Sequence, residues 1–277
     1  MECCHDFKPG TTFQPPPEFM SDSPDELILP RRPARPRETG LTFISDVGVP
    51  VGELAHLLND YDSMVDFAKF GVGSAYVTPN LREKLGLYRE HGIVPYFGGT
   101  LFEKFQFQDN LDGYCRFLKA HEVEWIEISN GTIPLTLEQR CEIVRKVSGD
   151  FEVIAEVGCK DAETIMSPSS WIEELKELID AGARYVVTEG RDSGSAGIFR
   201  PSGEIREGLV ADIVKSLPVN RLVFEAPNAK SQMYFINLCG PEVNLGNVAP
   251  RDLLLLEAQR RGLRYETFFL DSDEPSS

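Results

Sequence analysis

Positive charge is in short supply: the 277 residues carry 28 Lys and Arg against 44 Asp and Glu, a formal net charge of −16. Such a chain repels polyanions, and no lysine- or arginine-rich block offers a local exception, so neither nucleic acid nor an anionic membrane is expected as a partner. No apolar run approaches the roughly 18 residues that span a bilayer. The N-terminus, MECCHDFKPG, has no basic stretch followed by an apolar one, and the expected location is cytoplasmic. Paired cysteine spacing is missing too. Cys3, Cys4, Cys115, Cys141, Cys159 and Cys239 form no CxxC, which points to reduced thiols and against a disulfide framework. Cys3-Cys4-His5 are adjacent ligand types in a polar tail, a spacing that rarely closes a tetrahedral metal site.

What is present is a repeat. Residues 1–36 are rich in proline, acid and serine and read as a disordered or surface arm, and 271–277 read as a disordered tail. Between them, over 37–270, short apolar runs alternate with helical segments. The runs are Leu41 to Ser45, Met64 to Phe70, Ile93 to Phe97, Trp125 to Ser129, Phe151 to Val157, Tyr185 to Thr188, Arg221 to Phe224 and Val243 to Leu245. Thr136 to Gln139 and Ser170 to Glu173 both fit a capping box at a helix start, and Pro250 suits the first turn of a last helix. Eight strands with crossover helices in one domain of this length predict a single closed (β/α)8 TIM barrel, because parallel strands need crossovers and closure removes both sheet edges. An open doubly wound sheet is the alternative, weakened by the lack of a GxGxxG after the first run.

In a barrel, chemistry collects at the C-terminal strand ends. Those ends carry Asp46, Lys69, Thr100 with Glu103, Glu127, Glu156, Glu189, Glu225, and Asn244 with Asn247. Polar strand ends are ordinary where they meet solvent. Glu127, Glu156, Glu189 and Glu225, however, lie inside or beside apolar runs, where a lone carboxylate faces several kcal/mol of desolvation. Carboxylates converging on one mouth need counter-charge, which Mg2+ with oxygen ligands, helped by Lys69, Lys160 and Arg191, would supply. Glu127, Glu189, Glu225 and Asp46 are the candidate metal ligands. Lys69 shares a face with Val65 and Phe67, although alternation alone does not say which face is inward. Glycine-rich exits at Gly98-Gly99-Thr100, Gly190 through Gly197, and Asn244 to Asn247 can present N–H groups to an anion, with Arg191 alongside. Gly99, Thr100, Gly190, Arg191, Gly194, Asn244 and Asn247 are therefore candidate substrate-binding residues for a phosphate or carboxylate.

Seven collinear blocks resemble the phosphosulfolactate synthase family: Phe67 to Gly71, Gly98 to Glu103, Glu127 to Gly131, Glu156 to Gly158, Glu189 to Gly194, Phe224 to Pro227 and Val243 to Asn247. The resemblance implies a barrel enzyme that adds sulfite to phosphoenolpyruvate with Mg2+ to give (2R)-phospho-3-sulfolactate, the first step toward coenzyme M in methanogens. It also implies Lys160 as general acid, with Lys69 and Glu156 completing the catalytic group. Barrels of this kind commonly associate through their helices, which leaves room for a homo-oligomer. Three positions depart from the family pattern: Val47 and Cys159 stand where lysines are usual, and Asn130 where aspartate is usual. These departures keep two other readings open: a related barrel lyase or synthase using another nucleophile on a phospho-acid, and a non-catalytic stress-associated homologue.

Overall fold

The computed structural model describes residues 27–158, 166–190 and 196–270. The N-terminal 26 residues, with Cys3, Cys4 and His5, and the tail from 271 lie outside them. Eight parallel strands close on themselves in chain order, β1 to β8. They are β1 (Thr42–Ser45), β2 (Phe67–Phe70), β3 (Val94–Phe97), β4 (Trp125–Ile128), β5 (Glu152–Val157), β6 (Tyr185–Thr188), β7 (Leu222–Glu225) and β8 (Leu245–Val248). The crossovers are α1 (Val51–Tyr61), α2 (Leu81–Glu90), α3 (Gly99–Phe107) with α4 (Leu111–Ala120), α5 (Leu137–Val147), α6 (Pro168–Ala181), α7 (Glu207–Ser216) and α8 (Ala229–Cys239); α9 (Leu253–Arg260) ends the set. The predicted barrel is the observed one.

Helix starts follow local chemistry. Thr136 and Gln139 form the predicted capping box of α5. The start of α6 lies earlier than predicted: Ser167, not Ser170, is the N-cap, its hydroxyl accepting from the Ser170 N–H, because Pro168 fits the first helical position. The eighth strand runs later than Val243 to Leu245. Glycine and asparagine are poor strand formers, but barrel closure supplies ladder partners, pairing Leu245 with Phe224 and Gly246 with Glu225.

Period-two alternation sorts the barrel interior into two storeys. The lower is aromatic: Phe43 stacks on Phe67 at 4.2 Å between ring centroids, Trp125 on Tyr185 at 5.8 Å, and Tyr96 meets Phe43 and Phe67 edge-on. Such pairs add roughly 0.5–1.5 kcal/mol each beyond area burial. Below this layer the floor is sealed by arginines. Arg260, fully buried, donates to the carbonyls of Pro241, Val243 and Leu41. The described part of the N-terminal arm straps across this end: Arg32 pairs with Glu257 at 3.0 Å, Arg35 donates to the carbonyls of Asp62, His91 and Gly92, and Arg37 pairs with Asp66 at 2.9 Å.

Candidate active site

Two residues above the aromatic layer, the same inward phase delivers a charged one. Phe67 is followed by Lys69, Trp125 by Glu127, Ile154 by Glu156, Val187 by Glu189 and Val223 by Glu225. These five residues, with Ser45, Gly71, Val72, Gly98, Gly99, Thr100, Thr132 and Asn247, line a pocket of about 300 Å³ at the C-terminal mouth. Lys69 therefore points inward. Its Nζ lies 3.2 Å from Glu225, 3.3 Å from Glu127 and 3.5 Å from Glu156. Burial alone would lower the Lys69 pKa, but Glu127, Glu225 and Glu156 together outweigh it and hold the ammonium well above its ordinary value. The carboxylates thus favour the charged form of Lys69.

Glu225 is the counterpart. Burial pushes its carboxyl up to about 7, with Lys69 opposing and Glu156 and Glu127 adding repulsion. Its two oxygens are both engaged: Oε1 accepts from Lys69 at 3.2 Å and Oε2 from the Gly190 N–H at 2.8 Å. Glu127 Oε1 accepts from the Gly99 N–H at 2.6 Å. Gly99 and Gly190 therefore spend their N–H groups on internal carboxylates, not on an anion in the pocket. Gly99 packs so close to Ser129 and Glu127 that a Cβ would collide with the serine side chain. Tyr96, fully buried beneath, keeps its phenolic proton: burial first and then Glu127 push its pKa well above the ordinary value.

Two expected site residues are elsewhere. Asp46 follows the inward-facing Ser45, so period two turns it outward into the helix layer. There its carboxylate, fully buried, receives Lys84 at 2.6 Å, the Tyr88 hydroxyl at 2.8 Å and the N–H groups of Gly48 and Val49 at 3.0 Å. It is saturated by protein donors and is no metal ligand of this pocket. Asn244 precedes β8 and sits on the floor, at the opposite end from the mouth. Its Oδ1 accepts from the Leu41 N–H and its Nδ2 donates to the carbonyls of Asn220 and Leu222. Asn247, three residues on, is the one that reaches the pocket, from a left-handed backbone at φ 54°. Lys160, Arg191, Gly194 and Cys159 lie outside the described residues. Val47 is 53% exposed beside Gly71, and Asn130 turns to the Leu135 carbonyl.

Ser45 and Thr132 are pocket residues that sequence reasoning did not single out. The phase set by Phe43 would have found Ser45. Thr132 sits on the irregular segment after β4, where no period operates.

The pocket's anionic donors are all carboxylate oxygens, the chemistry of a hard divalent cation. Among the described residues, no group of three or more His, Cys, Asp or Glu side chains is arranged to enclose a metal by itself. The donor set suits an ion held by one or two carboxylates, with water and ligand oxygens completing its shell.

Comparison with known proteins agrees with this architecture. Residues 30–266 match the family model described as (2R)-phospho-3-sulfolactate synthase (ComA). The phosphosulfolactate synthase of Bacillus subtilis is 43% identical over 247 residues, covering 88% of this chain and 98% of the relative. That of Methanothermobacter thermautotrophicus is 36% identical over 248 residues, covering 87% and 96%. Among solved structures, 3-hexulose-6-phosphate synthase from Salmonella typhimurium superposes with a TM-score of 0.51 at 13% identity, over 80% of this chain and all of that one, a likeness of fold alone. With the barrel, the charged storey and near full-length identity pointing the same way, the chain belongs to the phosphosulfolactate synthase family.

Proposed function

We propose that this protein catalyses the Mg2+-dependent addition of sulfite to phosphoenolpyruvate, giving (2R)-phospho-3-sulfolactate, a carbon–sulfur bond-forming reaction of the lyase class. The observation that carries the reading is Lys69 held among Glu127, Glu156 and Glu225 at the mouth of a barrel whose sequence belongs to that family. Acidic walls around a dianionic substrate make sense only with added positive charge. Mg2+, on the pocket carboxylates Glu156 and Glu189 of neighbouring strands, would supply Lewis-acid stabilisation of developing negative charge.

The sulfur lone pair of sulfite attacks the methylene carbon of phosphoenolpyruvate, forming the C–S bond as the C=C π pair moves toward the carboxylate. The fixed Lys69 ammonium stabilises the resulting charge from the floor of the pocket. A proton then reaches the carbon bearing the phosphate, and Lys160, in the segment after β5, is the proposed donor. Thr100, Thr132 and Asn247 offer polar contacts to substrate oxygens, and Arg191 offers charge.

Phosphorus NMR of the protein with phosphoenolpyruvate, sulfite and Mg2+, omitting each in turn, tests the reading. A new phosphate-ester resonance that requires all three supports it; its absence, with phosphoenolpyruvate still bound, sinks it. Val47, exposed beside the pocket residue Gly71 where the family resemblance implies lysine, favours one second reading, a different nucleophile. A product resonance that ignores sulfite would select it.

Two variants report on individual roles. Lys160→Ala is expected to abolish turnover with thermal unfolding unchanged, and turnover at the wild-type rate would remove Lys160 from the mechanism. Glu189→Gln is expected to weaken Mg2+ binding about tenfold or more in a titration read by calorimetry. An unaltered isotherm would take Glu189 out of the metal's shell.

A further inference from the structure

Glu103 lies on α3, one turn beyond Thr100, and is 2% exposed. A carboxylate there should be costly, yet it does not point at the pocket's cation. Among the described residues, all of its hydrogen bonds come from one stretch of chain, the segment after β4. Oε1 accepts from the Ser129 hydroxyl at 2.5 Å and the Gly131 N–H at 3.1 Å; Oε2 accepts from the N–H groups of Thr132 at 2.6 Å and Ile133 at 2.9 Å. Four donors use all the acceptor directions a carboxylate has. Three successive amides converging on one anion make a nest, the concavity that elsewhere binds phosphate. Here the anion filling it belongs to the neighbouring β/α unit.

The traffic also runs the other way. Glu127 on β4 accepts from the Gly99 N–H at the start of α3. Two adjacent units thus exchange carboxylates: β4 holds the start of α3, and α3 holds the exit of β4. Within this reciprocal clasp stand four pocket-lining residues, Gly99, Thr100, Glu127 and Thr132. Of these, Thr132 is exposed and has no strand or helix of its own to define its position.

We propose that Glu103 is a positioning residue: by filling the amide nest at 131–133 it fixes the segment after β4 and sets Thr132 at the mouth, where the Thr132 hydroxyl contacts the phospho-acid substrate. The proposal rests on the functional reading above. It makes Glu103 a determinant of substrate affinity with no part in proton transfer or metal binding. It also closes this nest to the substrate phosphate.

Glu103→Gln is the discriminating variant. One amide oxygen keeps at most two acceptor directions, and the NH2 group must face the remaining donors. In the substrate-free protein, hydrogen exchange at amides 131–133 is expected to accelerate at least tenfold, with amides of β4 unchanged. In turnover, KM for phosphoenolpyruvate is expected to rise about tenfold with kcat within about twofold. Thr132→Ala, a substitution at an exposed position that does not threaten folding, should raise KM similarly, and Thr132→Ser should restore it. The Glu103→Gln/Thr132→Ala double variant should be no worse than Glu103→Gln alone, because both act through one contact. Unchanged exchange at 131–133, a silent Thr132→Ala, or KM effects that multiply in the double variant would overturn the proposal. If wild type gives no product, the reaction assigned above has failed on its own terms. The exchange measurement, with the Kd for phosphoenolpyruvate in place of KM, then still decides the role of Glu103.

Discussion

Replacing Lys69 by methionine is expected to lower turnover by at least about a thousandfold and to make the fold markedly pH-sensitive. The side chain is similar in length and apolar, so packing is largely kept. What goes is, among the described residues, the one charge that sits within 3.5 Å of three carboxylates. Breaking a buried ion pair by removing one partner typically costs about 3–5 kcal/mol. The protein's way out is to take up protons. In the wild type, burial already pushes the Glu225 carboxyl up to about 7, with Lys69 opposing. A carboxyl whose pKa is raised in the folded state binds its proton more tightly folded than unfolded. Its contribution is whole below the unfolded value near 4.5, declines as pH rises, and is gone above the folded value. Without Lys69 the attraction that opposes burial at Glu225 is gone, and its carboxyl is pushed higher still. Melting curves should show the variant losing Tm between pH 5 and pH 8 far more steeply than wild type. A Tm profile parallel to wild type, or substantial turnover, would show that Lys69 is not the electrostatic centre of the site. Lys69→Arg is not expected to rescue, since a planar guanidinium cannot stand as a point charge among three carboxylates.

The second large effect is away from the pocket. Asp46→Asn is expected to cost about 3–5 kcal/mol in urea denaturation, because it leaves Lys84 buried against a neutral amide. Asparagine still accepts from the Gly48 and Val49 N–H groups, so the loss reads the ion pair more than the turn. Adding Lys84→Met should recover part of the stability, as removing both charges removes the uncompensated one. Mg2+ binding in the single variant should match wild type. A stable Asp46→Asn protein with weakened metal binding would return Asp46 to the site and refute the outward reading of β1.

The two strands that bear on Asp46 and Glu127 show where sequence reading succeeds and where it stops. On β4, β5, β6 and β7 an acid stands two residues beyond an inward apolar one, so the four glutamates could be gathered at one mouth from spacing alone. On β1, Ser45 and Asp46 are neighbours at the strand end, and the more charged of the two is the wrong one. Strand phase decides it: Phe43, stacked on Phe67 inside the barrel, puts Ser45 two residues on at the mouth and turns Asp46 outward, a signal outweighed at the sequence level by the charge on Asp46. Asn244 and Asn247 repeat the lesson at β8. A short apolar run ended the apparent strand early, whereas the strand continues because β7 receives Leu245 and Gly246 and β1 receives Val248. The clasp at Glu103 was legible only as a residue type in a motif. Its partners are backbone amides, and amides carry no sequence signal. The arginine-sealed floor was hidden for a similar reason: Arg32, Arg35 and Arg37 stand in a proline-rich stretch whose composition suggests an arm, and their anchoring depends on carbonyls and carboxylates far along the chain.

The aromatic storey has an optical consequence. The chain has two tryptophans. Trp125 stacks on Tyr185 directly below Glu127, and the indole of Trp171 presses against Gly158 at the exit of β5. Both indoles therefore lie within a few residues of the pocket carboxylates Glu127 and Glu156, so ligand entering the pocket is expected to change the intrinsic fluorescence without a label.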